Sequence, residues 1–233
     1  MRVLALDSSG IVASVAVVED DTLVAEYTVN YKKTHSQTLL PMIDEIFSMV
    51  QLKPDDVDVI AVSKGPGSFT GLRIGAATGK GIALALDKKM VAVPTLAAMA
   101  YNLYGDSRYI CPVMDARRKH LYSGIYTFDG EKLVTVRDVN LASYEELAEE
   151  LVGLDGQVVL VGDGVDVAGD VLKEQLGDKC ILAPAHIKTQ RAGSVALLAK
   201  QMADNGQYTD ADGLKPDYLR PSQAEREKAQ HES

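Results

Sequence analysis

The chain opens on four apolar residues in a row, Val3 to Leu6 in "RVLALD", and Asp7 stops the run. Two more strand-like stretches, "VASVAVVED" and "TLVAEYTVN", follow across turns at "SSGI" and "DD", so the pattern predicts three strands in a meander. The period then changes. In "HSQTLLPMIDEIFSMVQ", Leu39, Ile43, Ile46, Phe47 and Val50 share one face of a helix entered from Thr34, with Pro41 in an early turn where a missing N–H costs least. "VDVIAVS" reads as another strand and runs into "KGPGSFTGLRIGAATGKGIALAL", where a helix begins near Thr70. A further helical stretch, "TLAAMAYNLY", closes this half.

The second half starts the same way. "YICPVMD" is again an apolar run ended by an acid, Asp115, and "KHLYSGIYTF" and "KLVTVRDV" follow, joined by a turn at Asp129 and Gly130. Asp7 stands about as far from the turn at Asp20 and Asp21 as Asp115 does from Asp129, which marks an internal duplication of pattern. "SYEELAEELVG" carries a capping box from Ser143 to Glu146; "QVVLVGDG" is a strand, and "DVAGDVLKEQLG" and "AGSVALLAKQMADNG" are helices. The closing "SQAEREKAQHES" has no apolar period, so a flexible tail is expected there. Two copies of strand, turn, strand, strand, helix, each led by an acid at a strand end, predict an α/β chain of the actin-like ATPase (ribonuclease-H-like) fold. Its two duplicated subdomains are residues 1–106 and a degenerate 107–221, followed by a tail, 222–233.

Composition narrows the function classes. With 33 Asp and Glu against 24 Lys and Arg, the net charge is −9; a chain of that sign does not grip nucleic acid by itself, and any link to RNA is expected to be indirect. Cys111 and Cys180 sit in apolar surroundings without metal-like spacing and read as buried thiols. The N-terminal apolar run is too short for a signal segment, and no stretch is long enough for a membrane span, so a soluble cytoplasmic protein is expected.

The chemistry-bearing motifs are few. "TGKG" fails as a Walker loop, because Gly81 stands where a hydroxyl is needed and Ile74 where the first glycine belongs. The four histidines have no partner at ligand spacing, and "GPGSFTG" is not a nucleophile elbow, so Ser68 is no nucleophile. Asp7, Ser8, Ser9 and Asp115 at the two leading hairpins, with Gly162 and Gly164 in "VGDG", mark the place of a vestigial nucleotide site; ordinary turn chemistry explains the same residues. No cofactor and no metal site are expected.

The glycines of "GLRIGAATGKG" remain. Gly71, Gly75 and Gly79 lie above one another on a helix, with Ala83 continuing the row. Each costs about 0.5–1 kcal/mol against alanine, so something must approach closely. It is either the chain's own sheet or helix, or a helix of another subunit. The expectation is the second: a subunit interface at Gly71, Leu72, Gly75, Ala76, Gly79 and Ala83, with the larger apolar residues elsewhere around the helix turned inward.

"VLALDSSG", "HSQTLLPMID", "AVSKGPGSFTGLRIGAATGKGIA", "VPTLAAMA", "PVMDARRKHLYSGIY" and "PDYLRPSQAE" together resemble the bacterial tRNA threonylcarbamoyladenosine biosynthesis proteins TsaB, also called YeaZ, over nearly the whole chain. The resemblance implies a non-catalytic member of the actin-like superfamily. It implies a TsaD-like transferase and a TsaE-like ATPase as partners, a homodimer when alone, and contact with tRNA only through the complex. The segment similar to "VPTLAAM" carries two metal-binding histidines in the transferase; here those positions are Thr95 and Met99, and a thioether is a poor ligand for a hard cation. The rival reading is an actin-like ATPase or small-metabolite kinase built on Asp7 and Asp115.

Overall fold

In the computed structural model, which describes residues 1–31 and 34–219, each half of the chain builds one five-stranded sheet. The first contains β1 (Arg2–Asp7), β2 (Ala13–Glu19), β3 (Thr22–Val29), β4 (Val59–Gly65) and β5 (Lys89–Pro94), in the order β3-β2-β1-β4-β5. The second contains β6 (Tyr109–Asp115), β7 (His120–Asp129), β8 (Lys132–Ser143), β9 (Val158–Val161) and β10 (Cys180–Leu182), in the order β10-β9-β6-β7-β8. Written from the other end, the second order is the first again, with β6 in the place of β1. The pairings agree as well: β1 is antiparallel to β2 and parallel to β4, and β6 is antiparallel to β7 and parallel to β9. The duplication read from the two leading acids is therefore a duplication of topology. Degeneration shows in length, since β4 and β5 have 7 and 6 residues whereas β9 and β10 have 4 and 3. β5 and β10 are the strands that the apolar pattern did not mark; both are short and lie at sheet edges.

Helices fill corresponding places: α1 (His35–Val50) and α2 (Phe69–Leu86) flank β4, and α4 (Tyr144–Val152) and α5 (Val165–Leu176) flank β9. The buried face of α1 is Leu39, Met42, Ile43, Ile46 and Phe47, close to the face its period predicts. It packs on Leu4, Leu6, Val15, Val17 and Ile60, one side of the first sheet. The opposite side presents Val3, Ala5, Ala16, Val59, Ala61 and Val91 to α7 (Ala192–Asp204). Because both faces are covered, β1 reads as an unbroken apolar run with no alternation.

Two of the three remaining helices tie the halves together. α3 (Thr95–Ala100) leaves the first sheet but packs Leu96, Met99 and Ala100 with Ile110, Met114 and Val159 of the second. α7 leaves the second sheet and lays Ala192, Val195, Ala196 and Ala199 on the first. Its row of alanines and one valine meets the alanines of β1, β2 and β4, and small residues on both sides permit that close approach. α6 (Ala185–Lys188) is a single turn between β10 and α7. Cys111 and Cys180 are buried free thiols. Among the described residues no helix is long and apolar enough to cross a membrane. The tail expected at 222–233 lies outside the described residues.

Candidate functional site

The glycine row of α2 faces inward, not outward. A Cβ added to Gly71 would lie 2.0 Å from the carbonyl oxygen of Ser8, one on Gly75 2.4 Å from Ser8 Oγ, and one on Gly79 2.4 Å from Val62 Cγ2. All six residues expected at a subunit interface, Gly71, Leu72, Gly75, Ala76, Gly79 and Ala83, are buried within the chain. The expectation is corrected on physical grounds. A polar hairpin backbone lies beneath the start of α2, and only residues without a side chain let the helix axis come down onto it. The larger apolar residues do not all turn inward either: Leu84 is 71% exposed.

That closeness shapes the first hairpin. Ser8 Oγ donates to the Gly71 carbonyl at 2.8 Å, Ser68 N donates to the Ser9 carbonyl at 2.6 Å, and a Cβ on Gly67 would meet that carbonyl at 2.3 Å. Ser68 caps α2, accepting from Gly71 N at 3.2 Å, which is the local reason for "GSFTG". Asp7 is 1% exposed. Its Oδ1 accepts from Ser9 N at 2.8 Å and Ser9 Oγ at 2.7 Å, and its Oδ2 accepts from Ser63 Oγ at 2.5 Å. Burial raises its pKa while the Ser63 and Ser9 hydrogen bonds oppose the rise.

A cleft of about 470 Å³ runs between the two halves. Of the six residues proposed for a nucleotide, only Ser9 and Asp115 line it. Gly162 N donates to the Lys188 carbonyl at 2.6 Å and Gly164 N to the Val113 carbonyl at 3.0 Å, so "VGDG" fastens β9 to its neighbours. The wall also carries Asp163 and Asp166. Burial, with Asp115 and Asp166 nearby, pushes the Asp163 carboxyl up to about 6, and its Oδ1 is buried without a hydrogen-bond partner. A phosphate needs free N–H donors and cations; here the N–H groups of Ser68, Gly162 and Gly164 are spent on the fold, and among the described residues of the wall four acids, Asp115, Asp163, Asp166 and Asp217, stand against one cation, Arg117, which is itself paired with Asp115. The residues present do not fit a nucleotide phosphate. Nor do Thr95 and Met99 resemble a metal centre: the Thr95 hydroxyl accepts from Gly65 N at 3.1 Å, and Met99 is 1% exposed in the core.

The family model described as TsaD, tRNA N6-adenosine threonylcarbamoyltransferase, matches residues 22–228. The tRNA threonylcarbamoyladenosine biosynthesis protein TsaB of Bacillus subtilis is 33% identical to this chain over 97% of it and 96% of that protein; TsaB of Escherichia coli is 31% identical over 94% and 95%. The chain belongs to the TsaB family. A transferase from Kosmotoga olearia is 34% identical, but over 43% of this chain and 35% of its own length, whereas the agreement with the two TsaB proteins runs end to end. YeaZ from Pseudomonas aeruginosa superposes with a TM-score of 0.81 at 27% identity, covering 94% of this chain and 99% of that one. A ROK hexokinase from Thermus thermophilus, with a TM-score of 0.53 at 14% identity over 87% and 100%, shows the actin-like fold alone.

Within this TsaB-family chain, two features have no counterpart in the sequence pattern. Residues 209–219 return to the first sheet: Thr209 pairs with Met90, Asp217 N donates to the Lys64 carbonyl at 2.7 Å, and Lys64 and Asp217 form an ion pair at 2.9 Å. There Tyr218 and Phe69 lie with ring centroids 4.6 Å apart, and the Arg73 guanidinium stacks 3.8 Å over Phe69. "PDYLRP" carries no period that would have announced this strap. The second is the outer face of α2, where Arg73, Ala77, Gly81 and Leu84 follow at intervals of three and four and are exposed. A Cβ on Gly81 would meet nothing within 4 Å. Two small residues, Ala77 and Gly81, thus stand between Arg73 and Leu84 on the side of this helix that faces out.

Proposed function

We propose that this chain is a non-catalytic, cytoplasmic subunit of the machinery that makes threonylcarbamoyladenosine in tRNA. It binds and supports a TsaD-like transferase, a TsaE-like ATPase joins the pair, and the chain pairs with itself when alone. The observation that carries this reading is the end-to-end agreement with TsaB against partial agreement with the transferases. The occupied hairpin supports it, since Asp7, Ser8 and Ser9 are committed to one another and to α2. The transferase holds the tRNA, because a net charge of −9 leaves this chain no broad basic surface.

The contact surface is the outer side of α1 and α2. α1 exposes Leu40 and Met49, 53% and 66% exposed, together with Asp44 and Glu45. α2 exposes Arg73, Ala77, Gly81 and Leu84. An apolar strip with acids on one helix and a base on the next suits pairing with a second helix pair of the same build. The test is Gly81→Leu, which adds bulk where nothing stands within 4 Å and improves helix propensity. Thermal stability should hold or rise while affinity for the transferase falls about ten- to hundredfold. Undiminished binding would reject the surface. Substantial ATP turnover or threonylcarbamoyl transfer by the chain alone would reject the non-catalytic reading in favour of the kinase-like one.

A further inference from the structure

The turn between β6 and β7 is built from three consecutive residues in the left-handed region, Arg117, Arg118 and Lys119, with φ of 65°, 56° and 59°. The last paired residues are Asp115 and Leu121; Ala116 N donates to the His120 carbonyl at 3.0 Å and His120 N to the Arg117 carbonyl at 3.2 Å. Left-handed backbone costs a non-glycine residue roughly 1–2 kcal/mol and is normally given to Gly or Asn. Here it is given to the only run of three cations described in an acidic chain, and all three side chains are exposed. Arg117 reaches Asp115 at 2.9 Å yet stays 82% exposed. Arg118 and Lys119 take part in none of the ion pairs among the described residues. The backbone of the turn is held locally, by Arg117 N donating to Asp115 Oδ1 at 2.7 Å and by the His120 ring on the Arg118 carbonyl at 2.7 Å, while the Arg118 and Lys119 side chains are left to solvent.

We propose that this turn contacts the ribose-phosphate backbone of an RNA, a reading that rests on the role in tRNA modification and adds to it a direct contact with RNA already held by the transferase. Two arginines and a lysine suit phosphate oxygens. An aromatic residue stands beside them: Tyr144 N donates to the Lys119 carbonyl at 3.3 Å, and Tyr144 is half-buried. The Tyr144 side chain packs in part on the core of the second half, so the contact is one of cations with phosphates and not of base stacking. Glu145 and Glu146 are exposed next to Tyr144, so the attraction is short-ranged and the contact is confined to the turn.

The test is Arg118→Asn with Lys119→Gly, which removes two charges while putting better left-handed residues in the turn, so the fold is kept or strengthened. Labelled tRNA is titrated with the chain–transferase complex over a range of salt, and assembly of the two proteins is measured by sedimentation without RNA. The slope of log affinity against log salt should fall by about 1.5, from two phosphate contacts at about 0.7–0.9 each, with assembly unchanged. Arg118→Lys with Lys119→Arg should keep the slope. An unchanged slope in the Asn/Gly variant overturns the proposal, and weakened assembly with an unchanged slope assigns the turn to a protein contact. If the unsubstituted chain fails to assemble with the transferase, the tRNA-modification role fails separately. The isolated chain at about 20 mM salt, where screening is weak, then decides the turn: tRNA binding lost in the variant supports it, and equal binding overturns it.

Discussion

Ser8 and Gly71 hold each other by backbone and side chain at once: Ser8 Oγ donates to the Gly71 carbonyl at 2.8 Å, and the Ser8 carbonyl occupies the space where a Gly71 side chain would begin, 2.0 Å from that position. This contact sets the distance between the first hairpin and α2, and with it which side of α2 remains for a partner.

Two glycines on one helix should therefore respond in opposite ways. Gly75→Leu should unfold the chain or cost more than about 3 kcal/mol, because its Cβ would lie 2.4 Å from Ser8 Oγ. Gly81→Ala should gain about 0.5–1 kcal/mol, since the position is open and glycine is a poor helix former. Chemical denaturation of both variants checks the pair; a stable Gly75→Leu protein would return the inner row to the surface.

Asp163 should make stability depend on pH. Its carboxyl is pushed up to about 6 by burial, against about 3.9 in an unfolded chain. Between those values the folded state binds more protons than the unfolded one, so this group's contribution to stability falls as pH rises through the window and levels off above it. Asp163→Asn should be more stable than the unsubstituted chain by about 1–3 kcal/mol at pH 8, and the advantage should shrink to little by pH 4. Melting curves across that range test it. A constant difference, or one that grows towards acid, would contradict the assignment.

Glu26 links β3 to the start of α7. It accepts from Arg191 and, at 2.9 Å, from Gly193 N in the first turn of α7, and its side chain is 7% exposed. Glu26→Ala leaves the cation and a helix N–H without their acceptor, and should cost about 2–4 kcal/mol. Glu26→Gln, which can still accept from the N–H, should cost less. Loss of α7 from the first sheet would appear as raised hydrogen exchange in residues 192–204.

Restoring histidines at the two α3 positions should not make a metal centre. Thr95→His removes the acceptor of Gly65 N, and Met99→His puts an imidazole into an apolar cluster. The double variant should lose about 2–4 kcal/mol and bind no stoichiometric zinc or iron by elemental analysis; one tightly held metal per chain would refute this.

The apolar periods of the sequence determined most of the elements and the duplication, because an apolar run ended by Asp7 and another ended by Asp115 each specify a buried strand followed by a polar hairpin. The capping box at Ser143 and Glu146 was legible for the same reason: its whole geometry lies within one turn, and both of its hydrogen bonds are present. β5 and β10 were not legible, since a short edge strand is defined by the neighbour it pairs with. The row Gly71, Gly75, Gly79 announced a close approach but not what approaches, for a helix has two sides and the sequence does not say which one meets the sheet. Tertiary structure decided that by bringing Ser8 and Val62 under the row and leaving Gly81 open. It also decided the fate of the leading acids. Whether Asp7 meets a phosphate or its own serines depends on Ser63, 56 positions away, lying within 2.5 Å, and only the folding of β4 beside β1 puts it there.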